Sequence, residues 1–114
     1  MDGAERNATN QNVFREVNER VVAVHRGMDG ARAEPGSLLE VFCECGRAGC
    51  IERIALSRAE YERVREDSTH FVLAPGHDVT LVERLIARTD RYVIVENEGR
   101  AAELARAADP RLRT

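Results

Sequence analysis

The chain has 114 residues, a net charge of −3 and 17 basic residues, every one of them arginine. That length fits one domain, and the acidic balance gives no general reason to expect a phosphate-binding surface. Aromatic residues, at 4%, are too few for a base-stacking platform, and no apolar run approaches the roughly 18 residues of a membrane span. The absence of lysine points to a GC-rich coding sequence rather than to a function. With no secretory-signal pattern either, the composition predicts a bacterial, cytoplasmic protein with reduced thiols.

Residues 1–8 are polar and are expected to be a disordered arm. A first helix should begin near Thr9 or Asn10, either of which can cap it. Phe14, Val17, Val21 and Val24 recur at helical spacing and predict one apolar stripe, with Arg15, Glu16, Glu19 and Arg20 on the other sides. The stripe can pack on the domain's own sheet, or it can serve a partner helix or a homodimer. Gly27–Ser37, with Gly30, Pro35 and Gly36, reads as a loop.

All three cysteines fall in Cys43-Glu44-Cys45-Gly46-Arg47-Ala48-Gly49-Cys50. Leu38–Phe42 reads as a strand entering this segment and Ile51–Leu56 as a strand leaving it. Side chains two apart in extended chain share a face, so Cys43 and Cys45 can meet one ion. Gly46 and Gly49 permit the reversal that returns Cys50 to them. The pattern predicts a Cys-x-Cys-x4-Cys knuckle at a β-hairpin tip, binding zinc. An odd cysteine count argues against a disulfide, and the spacing is not that of the usual ferredoxin clusters.

Zinc usually takes four ligands, which leaves one place for a histidine or water. His77 is the expected ligand, because Pro75-Gly76 shapes a loop that can present it. His70 comes next, ahead of His25 on the first helix.

Ser57-Arg58-Ala59-Glu60 is a capping box that starts a short helix, with Leu56 and Tyr61 as its hydrophobic staple. Tyr61 and Val64 should face inward, and the helix should end around Glu66–Ser68. His70–Ala74 reads as a strand. Thr80–Arg88 fits either a helix or one arm of a hairpin. The short Thr89-Asp90-Arg91 connection into the β-branched run Tyr92–Glu96 selects the hairpin. Asn97 is expected to cap a last helix over Gly99–Ala108, with Ala101, Leu104, Ala105 and Ala108 on its packing face, and Asp109-Pro110 to stop it. Arg84, Arg88 and Arg91 read as a solvated face.

Phe42-Cys43-Glu44-Cys45…Cys50, Glu60-Tyr61-Glu62-x-Val64-Arg65, Phe71-Val72-x-Ala74-Pro75-Gly76-His77 and Tyr92-Val93-Ile94-Val95-Glu96 carry a resemblance across most of the chain. Together with Val13–Arg20, they resemble a family of small Cys-x-Cys-x4-Cys…Pro-Gly-His proteins of GC-rich bacteria. The resemblance implies Cys43, Cys45, Cys50 and His77 as the metal site and implies no reaction.

The expectation is an α+β fold: a small, mostly antiparallel sheet with three helices and a zinc knuckle at a hairpin tip. The domain should span residues 9–109, with 110–114 as a tail. The expected function is a regulatory protein-interaction module with a structural zinc site. A thiol-based redox or metal sensor is the alternative. Nucleic-acid binding, or a zinc enzyme using Glu44 or Asp78 as base, ranks lower.

Overall fold

The computed structural model describes residues 3–29, 37–78 and 83–112. Helix α1 spans Gly3–Asp29. Strands β1 (Leu38–Phe42) and β2 (Arg53–Ser57) follow, then α2 (Arg58–Val64), β3 (His70–Leu73), β4 (Glu83–Arg88), β5 (Val93–Asn97) and α3 (Gly99–Ala107). The class is α+β, as expected. The strands form two antiparallel sheets rather than one: the β1–β2 hairpin and a three-stranded sheet of order β3-β5-β4. The Glu44 N–H bonds the Val72 carbonyl at 2.9 Å and ties the hairpin end to β3.

The core draws on both sheets and all three helices, α1 through Val22 and α3 through Ala105. Val41, Ile54, Leu56, Tyr61, Val64, Phe71, Val93 and Val95 are all buried in one cluster. Ser57 caps α2 as predicted. Its hydroxyl accepts from the Glu60 N–H, and the Glu60 carboxylate accepts from the Ser57 N–H. Leu56 and Tyr61, the staple pair, are both fully buried. The helix stops at Val64, with Arg65 as its C-cap, a little earlier than expected. The 83–97 segment is a hairpin, Glu83 facing Asn97 and Arg88 facing Val93. The first residues assigned to its outgoing arm, 80–82, lie outside the described residues, as does most of the loop expected between α1 and β1.

Helix α1 departs from expectation in both start and face. It begins at Gly3, so residues 3–8, expected as an arm, form its opening turns, and Ala8 is buried. The side facing the protein carries Ala8, Gln11, Arg15, Asn18 and Val22. Phe14, Val17 and Val21 flank that side half-buried, and Val24 is 61% exposed. The expected stripe therefore misplaces the helix by part of a turn. The reason is chemical: α1 lies over backbone carbonyls and carboxylates that need donors. The Arg15 guanidinium is fully buried, donates to the carbonyls of Ser68 and Ala105, and sits 4.8 Å over the Phe71 ring. Gln11 donates to Glu83 and accepts from Asn97, both at 2.8 Å.

That last bond also explains a second departure. Asn97 ends β5 and serves Gln11 instead of capping α3. The N-cap is Glu98, with no side-chain cap bond. On α3, Ala102 and Ala105 are buried, while Ala101, Leu104 and Ala108 are half-buried. Asp109 closes the chain end against Arg65 and the Ser68 hydroxyl.

Candidate metal centre

The connection between β1 and β2 folds the cysteines inward. Cys43 and Cys45 are almost fully buried, and Cys50 is half-buried. The Cys43 N–H still bonds the Glu52 carbonyl at 2.8 Å, continuing the hairpin. The chain then reverses through Gly46 at φ +78° and Gly49 at φ +80°, left-handed backbone that favours glycine. At Gly46 space adds a second constraint, since a Cβ there would lie 2.3 Å from the Asn7 carbonyl oxygen. The knuckle is seated against the start of α1: Asn7 donates to the Cys45 carbonyl at 3.0 Å and Asn10 to the Gly46 carbonyl at 3.1 Å.

His77 arrives from the other sheet. Ala74-Pro75-Gly76-His77 forms a turn in which the His77 N–H bonds the Ala74 carbonyl and Gly76 takes φ +84°. Proline second and a left-handed glycine third is the pattern of a type II turn. The turn delivers Nδ1 of His77 to 3.5 Å from Cys43 Sγ and 3.7 Å from Cys50 Sγ. One donor atom each from Cys43, Cys45, Cys50 and His77 lies within 4.8 Å of all the others. A disulfide needs about 2.05 Å between sulfurs, and all three thiols are free. The four side chains are positioned to hold a metal ion.

The surroundings fit that role. The Ala74 N–H donates to Cys43 Sγ at 3.2 Å, and the Arg47 N–H supports Cys45. Burial pushes both thiols up in pKa, and these amides oppose it. The pocket therefore favours neutral thiols until a cation arrives, so metal uptake releases protons. The other imidazole nitrogen, Nε2, lies 3.6 Å from Glu52 Oε2, an outer carboxylate of the kind that orients metal-bound histidines.

The remaining sequence candidates fall elsewhere. His70 joins Asp67 and Glu96 in a separate group. His25 lines an apolar groove with Val21, Val24 and Leu39. Glu44, between two of the cysteines, turns its carboxyl the opposite way, into the core. There it accepts from Asn18 and Tyr61 through one oxygen and from the Val72 N–H through the other. Burial raises its pKa, and those three donors counter the rise. Arg84 is paired with Glu96, and Arg91 with Glu60. The supporting set that sequence reading missed is Asn7, Asn10 and Asn18. Only Asn7 lies in the segment expected as an arm; Asn10 reads as a helix cap and Asn18 as a residue of the helix itself.

Compared with known proteins, the chain matches no family model, no curated protein and no solved structure. Among the described residues, no helix is long and apolar enough to cross a membrane.

Proposed function

We propose that the protein is a small zinc-binding regulatory module of the bacterial cytoplasm. Its metal is structural and its activity is the binding of another protein. The carrying observation is the convergence of three thiols and one imidazole, with nitrogen–sulfur separations of 3.5 and 3.7 Å. Zinc bonds of about 2.3 Å to sulfur and 2.0–2.1 Å to nitrogen, at a tetrahedral angle, separate those atoms by about 3.6 Å. The donor set is closed, which suits structure rather than catalysis. Of the two residues nominated as a base, Glu44 and Asp78, Glu44 faces away into the core.

A partner has apolar helix surface to engage. Val13 is 54% and Val24 61% exposed on α1, and the same surface suits a homodimer. The grouping with small proteins of GC-rich bacteria belongs to this proposal too.

The test is metal content per chain on untagged protein, wild type beside His77→Ala, followed by chelation. One zinc in the wild type, weaker retention in the variant and unfolding of the stripped protein are expected. A fully folded metal-free form would overturn the structural role. A second reading, a thiol-based redox sensor, draws on one observation: Cys50 is half-buried while the other two cysteines are buried. Oxidation starting there would expel the ion. Mild peroxide that leaves zinc bound and the thiols unreacted would remove this reading.

A further inference from the structure

Among the described residues, a second group of ligand-type side chains converges away from the cysteines. Asp67, His70 and Glu96 each offer one atom within 4.8 Å of the other two. His70 and Glu96 face each other directly across β3 and β5, which places their side chains on one face of the sheet. Asp67 comes from the connection between α2 and β3. His70 Nε2 lies 3.0 Å from Glu96 Oε2 and 3.7 Å from Asp67 Oδ2.

The two carboxylates are already anchored. Glu96 Oε1 accepts from Arg84 at 3.0 Å. Asp67 Oδ1 accepts from the Thr69 N–H at 2.8 Å and the Thr69 hydroxyl at 2.7 Å. Each therefore turns its remaining oxygen toward the same imidazole nitrogen. A single N–H there satisfies Glu96, and at 3.7 Å Asp67 is beyond hydrogen-bond reach. A cation in place of that proton would engage both. Thr69, through its N–H and hydroxyl, holds the Asp67 carboxyl below its usual range, which favours the anionic donor a cation needs.

We propose that Asp67, His70 and Glu96 form a second metal site, one that takes an exchangeable divalent transition ion through one imidazole nitrogen and two carboxylate oxygens. This donor set has no sulfur and is harder than the knuckle. Three protein donors leave further places to water, the open kind of site. Arg84 and Arg106 lie nearby and oppose a cation. Arg84 is 63% exposed at its side chain, so water screens much of that opposition. The site therefore holds its ion less tightly than the thiolates do. Bound there, the ion would pin the turn before β3 onto β5. The proposal does not depend on the knuckle's role, because the two sites share no residue.

The experiment adds Co2+ to full-length, untagged protein preloaded with one equivalent of Zn2+, and follows both bound cobalt and the absorption spectrum. One cobalt per chain is expected, with weak visible bands and no thiolate-to-metal charge transfer. Asp67→Asn keeps an oxygen for Thr69 and removes the anionic donor. It should weaken cobalt at least roughly tenfold, the lower end of the cost of losing even an outer-shell partner. His70→Ala should abolish the second equivalent and leave the zinc content at one. Asp67 is half-exposed, at 48%, so the conservative variant keeps the test valid if His70→Ala folds poorly. Absence of a second equivalent in the wild type would overturn the proposal. So would equal cobalt affinity in wild type and Asp67→Asn.

Discussion

The Tyr61 hydroxyl donates to Glu44 Oε2 at 2.9 Å, both groups being fully buried. Glu44 stands between two cysteines of the candidate metal centre, and Tyr61 opens the second turn of α2. Asn18 of α1 and the Val72 N–H of β3 reach the same carboxyl. One side chain thus fastens the back of the knuckle to three separate elements.

Truncating that hub should be costly. Glu44→Ala leaves three buried donors unpaired, and each such group costs about 1–3 kcal/mol. Urea denaturation of the metal-loaded protein should show a loss of about 3 kcal/mol or more. Tyr61→Phe deletes one donor and leaves the carboxyl with two others, so it should lose about 1 kcal/mol. Equal losses for the two variants would contradict Glu44 as the hub.

The two knuckle glycines should respond differently to alanine. Both need positive φ, but only at Gly46 would an added Cβ also collide, with the Asn7 carbonyl oxygen and with Gln11 Cγ. Gly49 has open space around its would-be Cβ. Gly49→Ala should cost about 1 kcal/mol of backbone strain, whereas Gly46→Ala should exceed about 3 kcal/mol, because α1 must also move. Thermal melts of the two variants side by side decide it, and Gly46→Ala should also lose metal to a chelator faster.

Arg15→Met tests the polar seating of α1. Methionine preserves apolar volume over Phe71 but leaves the carbonyls of Ser68 and Ala105 without their donor. A loss of about 3 kcal/mol is expected in denaturant. A neutral or stabilising result would mean that packing, not hydrogen bonding, holds the helix.

Acid should weaken the α2 N-terminus. Burial opposes ionisation of Glu60, yet hydrogen bonds from Tyr92, the Ser57 N–H and Arg91 outweigh it and hold the carboxyl at about 2, down from 4.5. A depressed folded-state pKa stabilises above the unfolded value, and that share is lost as pH falls from 4.5 toward 2. Solvent screening limits the effect to about 1 kcal/mol. Stability of Glu60→Gln should therefore fall less steeply than wild type across that window. Parallel curves would show that the carboxylate contributes nothing.

The elements legible in the sequence were those whose chemistry is local. Ser57 and Glu60 lie in one turn, Pro75-Gly76 shapes one loop, and three clustered cysteines constrain each other by spacing alone. The face of α1 was not legible, because hydrophobic periodicity assumes that a helix buries its apolar side. Gln11, Arg15 and Asn18 are buried because their partners (Glu83, Ser68, Ala105, Phe42 and Glu44) come from remote parts of the chain. Asn97 misled for the same reason: a good capping residue was claimed by Gln11, 86 positions away. The four side chains that converge could be nominated from the sequence, but the asparagines that seat them could not.

The amide and guanidinium attachments of α1 bear on how freely that helix can be exchanged or displaced. An apolar stripe tolerates a slip along the axis or a small roll, since greasy surfaces have no preferred pairing. Asn18 both donates to the Phe42 carbonyl and accepts from the Phe42 N–H, each at 2.8 Å, and so admits a single register. Asn7 and Asn10 on the same rod grip the cysteine loop. The position of the thiols is therefore indexed to the helix, and a force that shifts one by a turn must dislodge the other.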